Sequence, residues 1–326
     1  MNFHFCMRRW LCLVAVVWFP AATCFGQGDP SRNALLARME KVMGSLPGAE
    51  RKCALDVQVT EEVDCGDFVR KFLTYQSEPG ARVPAYLLIP KRRDAIGKAP
   101  GMLTLHQTHA LGQKVVVGLG QSPNDEYGVE LVKRGYICLA PAYPHLANYA
   151  PDLSKYESGT MKAIWDNMRG VDLLIEYAGA DPKRIGAIGH SLGGHNSLYT
   201  AAFDERIRVV VTSCGFDSFR DYMNGNIKGW TSARYMPRLL EFAPDKYPFD
   251  FDTVLEAIAP RPVFVNAPKG DSNFKWESVD RIVAAVKKAA PNARIEVKHP
   301  DCAHSFPKEL REQAFTFIRD AFENVR

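Results

Sequence analysis

The segment Arg184–Tyr199, "RIGAIGHSLGGHNSLY", sets a serine between glycines, at Gly189-His190-Ser191-Leu192-Gly193, after a short apolar run and before a helix-like stretch. At such a junction Gly-x-Ser-x-Gly puts the serine on a sharp strand-to-helix turn, with glycines where a Cβ would collide with neighbouring backbone. The turn exposes the Ser191 hydroxyl and points a helix N-terminus at whatever it attacks. That positive helix end, together with the Leu192 amide, can stabilise an oxyanion. A serine hydroxyl is a weak nucleophile at neutral pH, so it needs a base, and the base needs an acid to orient it.

For a nucleophile in this setting the expected chain order is nucleophile, acid, base. Of the eight histidines, His299 and His304 come late enough. His304, in "DCAHSFP", falls in the loop between the last strand and the last helix and is the predicted base, whereas His299 ends a strand and reads as structural. The predicted acid is Asp271 in "KGDSNF", after the penultimate strand. Asp217, one strand earlier, is its competitor, and Asp301 lies too near His304 in sequence to reach behind the ring. A second oxyanion amide is expected from His106-Gln107-Thr108-His109, with the Gln107 N–H first and Thr108 next. His106 itself is expected to brace that loop. His190 and His195 with His106 and His109 could suggest a metal, but no carboxylate pattern accompanies them; neither a metal nor another cofactor is expected.

The elements that must carry these residues alternate in type. "FVRKFLTYQS" and "VPAYLLIP" read as neighbouring antiparallel strands, and "APGMLTLH" is a buried strand ending at His106. Further strands are "YICLAPAYP", "RIGAIGH", "RVVVTSC", "RPVFVNAPKGD" and "ARIEVKHPD". Helices are expected at "PSRNALLARMEKVMGS", "EYGVELVKRG", "GTMKAIWDNMRGVDLLIEYAG", "SVDRIVAAVKKAA" and "PKELREQAFTFIRDAF". Such alternation demands an α/β fold with a mostly parallel central sheet covered on both faces. Residues 216–251 break the rhythm, with aromatics scattered among charges. This reads as a small cap-like insertion over the strand ends, where open sheets bind ligands. Trp230 and Tyr235 are candidates to stack on a ring, and Arg234 to pair with a carboxylate; these aromatics could equally serve to anchor the insertion.

The 326 residues, 46% hydrophobic and 24% charged, suit one large core. The net charge of +4 shows no basic stripe, so no nucleic-acid partner is expected. At the start, "MRRW" followed by "WLCLVAVVWF" and "AATCFGQ" reads as a signal peptide over 1–26, too short for a membrane span. Export to the periplasm or medium follows, with 27–326 as a single domain whose first part, 27–80, carries the N-terminal helix and first strands. Five cysteines remain after the leader, and Cys53 and Cys65 are the expected pair.

The arrangement resembles an α/β-hydrolase of the dienelactone hydrolase and acetyl xylan esterase-like branch. The residues carrying the resemblance are "TLHQTHALGQ", "KRGYICLAPAYP", "DPKRIGAIGHSLGGHNSLY", "IAPRPVFVNAPKGDSNF" and "DCAHSFP", from about Pro84 to the C-terminus. It implies Ser191 as nucleophile, Asp271 as acid, His304 as base, and hydrolysis through an acyl-enzyme. Dienelactone hydrolases use cysteine where this chain has Ser191, which points to ordinary esters. With export and a polar insertion, the expected substrate is a small-molecule or carbohydrate ester. The alternatives are a serine peptidase of the prolyl-oligopeptidase type, which ordinarily places a β-propeller before this domain, and a non-catalytic binding protein of the same fold. None of the three triad residues is missing, as it would be expected to be in the latter.

Overall fold

The computed structural model describes Met1 and residues 30–92 and 98–324. Apart from Met1, the leader expected at 1–26 lies outside the described residues. The described residues form nine strands: β1 (Gln58–Asp64), β2 (Phe68–Glu78), β3 (Ala81–Pro90), β4 (Gly101–Leu105), β5 (Ile137–Pro141), β6 (Ile185–His190), β7 (Ile207–Ser213), β8 (Val263–Asn266) and β9 (Ile295–Lys298). They form one sheet in the order β1-β2-β3-β5-β4-β6-β7-β8-β9. The pairings β1–β2, β2–β3 and β3–β5 are antiparallel, and the remaining five are parallel.

The helices are α1 (Pro30–Met43), α2 (Tyr127–Lys133), α3 (Gly159–Asp172), α4 (Leu192–Phe203), α5 (Phe251–Ile258), α6 (Trp276–Ala289) and α7 (Lys308–Glu323). Successive strand residues point to opposite faces, so the central strands feed two cores. Leu103, Ala187 and Val210 face one core with residues of α1, α3, α4, α5 and α6. Met102, Ile188, Val209 and Val211 face the other with α2 and α7. The parallel strands, buried on both faces, are accordingly apolar almost throughout.

The strands and helices expected from the sequence are present, and two elements go beyond it. The edge strand β1, Gln-Val-Thr-Glu-Glu-Val-Asp, is almost wholly exposed and carries no apolar alternation for pattern reading to detect. Its charges pair across to Lys71 and Lys91, at 3.0 and 2.6 Å, and a charged edge discourages pairing with other chains. The other addition is α5, capped by Asp250, whose Oδ1 accepts the Phe251 amide at 2.8 Å. Helix α5 begins where the insertion was expected to end, and before it the chain runs in four 3-10 turns between Tyr222 and Lys246. Phe219, Trp230 and Phe249 are buried there, and the Trp230 ring lies 5.4 Å from Phe219 and 5.6 Å from Phe251.

One expectation is corrected. Cys53 and Cys65 are not a disulfide: both are free, as are Cys138, Cys214 and Cys302. They lie at opposite ends of β2: the Cys53 thiol is 3.6 Å from Gln76 Oε1 and the Cys65 amide bonds the Phe68 carbonyl at 2.9 Å, and the eight residue steps from Phe68 to Gln76 extend about 26 Å, far beyond the ~7 Å Cα separation a disulfide bridges.

Candidate active site

Ser191 sits between β6 and α4 with φ 53° and ψ −120°, a conformation that costs a non-glycine residue about 1–3 kcal/mol and persists only where its surroundings enforce it. The enforcement is backbone on backbone. A Cβ on Gly189 would come within 2.1 Å of the Gly193 carbonyl oxygen, and one on Gly193 within 1.9 Å of the Leu105 carbonyl oxygen. The turn therefore packs against the end of β4 at a distance only glycine allows. The Ser191 amide is tied to the Ser213 carbonyl at 2.8 Å, while its side chain makes no cap bond to α4. The hydroxyl is left unspent at the N-terminus of a twelve-residue helix that has no acidic residue in its first turn.

The structure pairs His304 with Asp271. The His304 Nδ1 lies 2.9 Å from both Asp271 carboxylate oxygens, so Nδ1–H donates to the carboxylate and Nε2 is the nitrogen left free. Asp271 also accepts the Asn273 and Phe274 amides at 2.8 and 3.2 Å. Burial opposes its ionisation, but the His304 hydrogen bond and charge together with those amides outweigh it and hold the carboxyl below its ordinary range. Asp217, the competing acid, is engaged elsewhere: its Oδ2 accepts the Lys275 amide at 3.2 Å. It is fully buried, its Oδ1 has no partner, and burial pushes it up to about 7. Two carboxylates thus hold one turn, Asp271 from within and Asp217 from the end of β7.

Ser191, Leu192, His304, Gln107, Trp230 and Tyr235 line one cavity of about 320 Å³. Leu192 is the first residue of α4, and a helix's first amides have no intrahelical acceptor. The loop bearing Gln107 is braced by His106 as expected. His106 Nε2 accepts the Tyr143 amide at 3.1 Å and its Nδ1 lies 2.8 Å from the Gln107 carbonyl, so Nδ1–H donates. Burial lowers this imidazole to about 4 and keeps it neutral. His299 is structural, held by the Ala267 carbonyl at 2.8 Å and Asp280 at 3.0 Å.

Arg234 is not brought to this cavity, a correction to its expected role. Its carbonyl accepts the Tyr143 hydroxyl at 3.0 Å and packs where any Gly159 side chain would stand, and Arg234 is absent from the lining residues. Trp230 and Tyr235 are both wall and anchor. The Trp230 ring lies 4.6 Å from that of His195, and the Tyr235 hydroxyl is 3.2 Å from Thr108 Oγ1. Sequence reading assigned no role here to His190, His195, Asn273 and Phe274, which also line the cavity. Their signal was position alone: His190 and His195 flank Ser191, and the other two follow Asp271. A second cavity, about 350 Å³, is lined by Arg220, Asp221, Asp250 and Arg281. Its charges are consumed locally, Arg281 by Asp221 at 2.8 Å and Asp250 by Ser218 at 2.6 Å.

The chain is 26% identical over 215 residues to "Putative hydrolase YtaP" of Bacillus subtilis (strain 168), covering 62% of this chain and 69% of that protein. Among solved structures it is similar to a glucuronoyl esterase from Solibacter usitatus, with a TM-score of 0.66, 17% identity, and 89% and 91% of the two chains covered. It is likewise similar to acetyl xylan esterase 1 from Thermoanaerobacterium sp. JW/SL YS485, with a TM-score of 0.60, 17% identity, and 90% and 94% covered. At these identities the likeness establishes the α/β-hydrolase fold. Residues 126–322, which carry Ser191, Asp271 and His304, match the model of the prolyl oligopeptidase family, and to that family, on an α/β-hydrolase fold, the chain belongs.

Proposed function

We propose that this protein is an exported serine ester hydrolase that works through an acyl-enzyme on a neutral, polar ester, with an acetylated carbohydrate as the substrate class. The observation that carries the reading is the unspent Ser191 hydroxyl, on a strained turn at a helix N-terminus, in one cavity with a His304 already oriented by Asp271. Ser191 Oγ adds to the ester carbonyl while His304 Nε2 takes its proton. Asp271 stabilises the imidazolium through Nδ1–H, and the amides of Leu192 and Gln107 receive the oxyanion. Collapse expels the alcohol, protonated by His304, and leaves the acyl group on Ser191. Water, activated by His304, then releases the acid and restores the serine.

The wall supports a polar substrate. Gln107 Oε1, His195 Nε2 and Trp230 Nε1 belong to lining side chains, and each is buried without a hydrogen-bond partner. An unpaired buried polar atom costs about 1–3 kcal/mol. Hydroxyl groups of a substrate would find their partners among Thr108, Tyr235 and Asn273, accessible polar side chains of the lining. His195 Nδ1 is 3.1 Å from the Gly215 carbonyl, to which it donates, so Nε2 is an acceptor. No Lys, Arg, Asp or Glu is among the described lining residues, which suits an uncharged ester. The volume is near the lower end of the ~300–1,000 Å³ of small-molecule sites and suits a compact acyl group. The solved structures named above, a glucuronoyl esterase and an acetyl xylan esterase, favour a carbohydrate ester.

A second reading, a serine peptidase, is favoured by the family match itself. One panel separates the two: acetylated xylan and xylo-oligosaccharides, short and long p-nitrophenyl esters, and proline-containing peptide amides. The expected order places acetylated sugars and short esters first, with amides and long acyl chains at least about 100-fold slower in kcat/KM. Faster turnover of the peptide amides would replace the esterase reading with the peptidase one.

A further inference from the structure

Beneath the cavity floor, hydrogen bonds run across the ends of β6, β7 and β8 and join the segments that carry Ser191 and His304. Asn266, the last residue of β8, is 1% exposed. Its Nδ2 donates to Ser213 Oγ at 2.8 Å and to the Ser305 carbonyl at 3.0 Å. Ser213, the last residue of β7, in turn lies with its Oγ 3.0 Å from His190 Nδ1. His190 immediately precedes Ser191, and Ser305 immediately follows His304. The imidazoles of His190 and His304 pack with centroids 4.9 Å apart. Both Asn266 amide protons are therefore spent on two neighbours: one braces the residue before the serine, the other holds the residue after the histidine.

Residues 299–307 have no regular secondary structure, so fixed ties must set where the His304 ring stands. The Gly270 amide holds the Cys302 carbonyl at 3.0 Å on one side of it. On the other side the Ser305 carbonyl is held by Asn266, with the Cys214 thiol 3.5 Å from the same oxygen. Side-chain amides accept as well as donate, yet Asn266 Oδ1 has no partner. The residue is present for what it donates.

We propose that Asn266 is a positioning residue that fixes the separation of His304 from Ser191, an inference that rests on the reading of these two as base and nucleophile. Proton transfer needs the two side chains within hydrogen-bond reach, and a misplacement of about 1 Å can cost about 100-fold in rate. Removing the donors leaves the Ser305 carbonyl only the Cys214 thiol at 3.5 Å, a weak donor, while the residues that line the cavity are unchanged, since Asn266 is not among them.

The test is Asn266→Leu, similar in size and without donors, assayed well below its melting temperature with p-nitrophenyl acetate and a fluorophosphonate. Asn266→Ala, which also lacks the donors, stands in if the leucine variant does not fold. The expected result is a kcat lower by about 30–100-fold with KM within about threefold, and an equal slowing of Ser191 labelling. Ser213→Ala, which cuts only the branch to His190, should cost less, and combining it with Asn266→Leu should cost less than the product of the two, because they interrupt one chain. A folded Asn266→Leu with kcat within about threefold of the wild type overturns the proposal, as does a double variant whose losses multiply. A wild-type protein that takes no label at Ser191 would overturn the underlying reading, and this inference with it; a wild type that labels beside an unimpaired Asn266→Leu would overturn the inference alone.

Discussion

At Ser191 the backbone and the chemistry make the same demand. A β-carbon held at φ 53° is unfavourable by itself, and the turn tolerates it because Gly189 and Gly193 let β4 and α4 close around it. Those glycines, the serine and the late histidine were legible in the sequence because each is a residue type fixed by a steric or protonic requirement. The carboxylate partner of His304 was legible only as a choice of two, since Asp271 and Asp217 both follow a strand end. What distinguishes them is which loop curls back to His304, a property of three-dimensional closeness that no local pattern encodes. Asp271→Asn should lower kcat by about 10³–10⁴-fold with little change in KM. The amide would donate towards Nδ1 and turn His304 to the tautomer whose Nε2 cannot accept the serine proton. Steady-state kinetics on p-nitrophenyl acetate checks this, and a variant within about tenfold of the wild type would return Asp217 to consideration.

Among the elements, the turn between β8 and α6 has two keepers, Asp271 at the Asn273 and Phe274 amides and Asp217 at the Lys275 amide. Asp217 is the costly one. Its carboxyl is pushed by burial to about 7 in the fold, above the ordinary ~3.9 of an unfolded chain. The folded state therefore favours the protonated form, and as pH rises from about 4 to 7 the native protein loses stability that it would keep with a neutral residue. Asp217→Asn retains an acceptor for Lys275 and removes the charge. It should match the wild type at pH 4 and become more stable by about 2–4 kcal/mol above pH 7, as read from urea unfolding across that range. A difference independent of pH would contradict the assignment. Strand β1 and helix α5 show the limits of pattern reading at this scale. The first is almost wholly exposed at the sheet edge, and its two valines show no alternation to detect. The second, although strongly apolar on one side, begins where the irregular aromatic insertion stops and shares its cluster of rings.

Across the whole molecule, alternating strand and helix signals were enough to specify a mostly parallel sheet with two covered faces, because only that architecture buries strands that are apolar on both sides. The shape of the insertion was not legible, since 3-10 turns carry no long period and their aromatics are held by tertiary contacts alone. Cysteine pairing was not legible either: the count allowed a bridge that is ruled out by the anchoring of Cys53 and Cys65 at opposite ends of β2. With all five described cysteines free, the melting temperature of the protein should be the same within about 1 °C with and without dithiothreitol. A drop of several degrees on reduction, of the size expected when a disulfide worth about 2–5 kcal/mol is lost, would show that a bridge forms.

The central claim, that Ser191 is a nucleophile activated by His304, is tested most directly by reaction with a fluorophosphonate followed by peptide mass mapping. The account predicts a single adduct on Ser191, absent in Ser191→Ala and formed at least about 100-fold more slowly in His304→Ala. Folded protein that takes up no probe, or carries it on another serine while Ser191→Ala still cleaves p-nitrophenyl acetate at the wild-type rate, would contradict it.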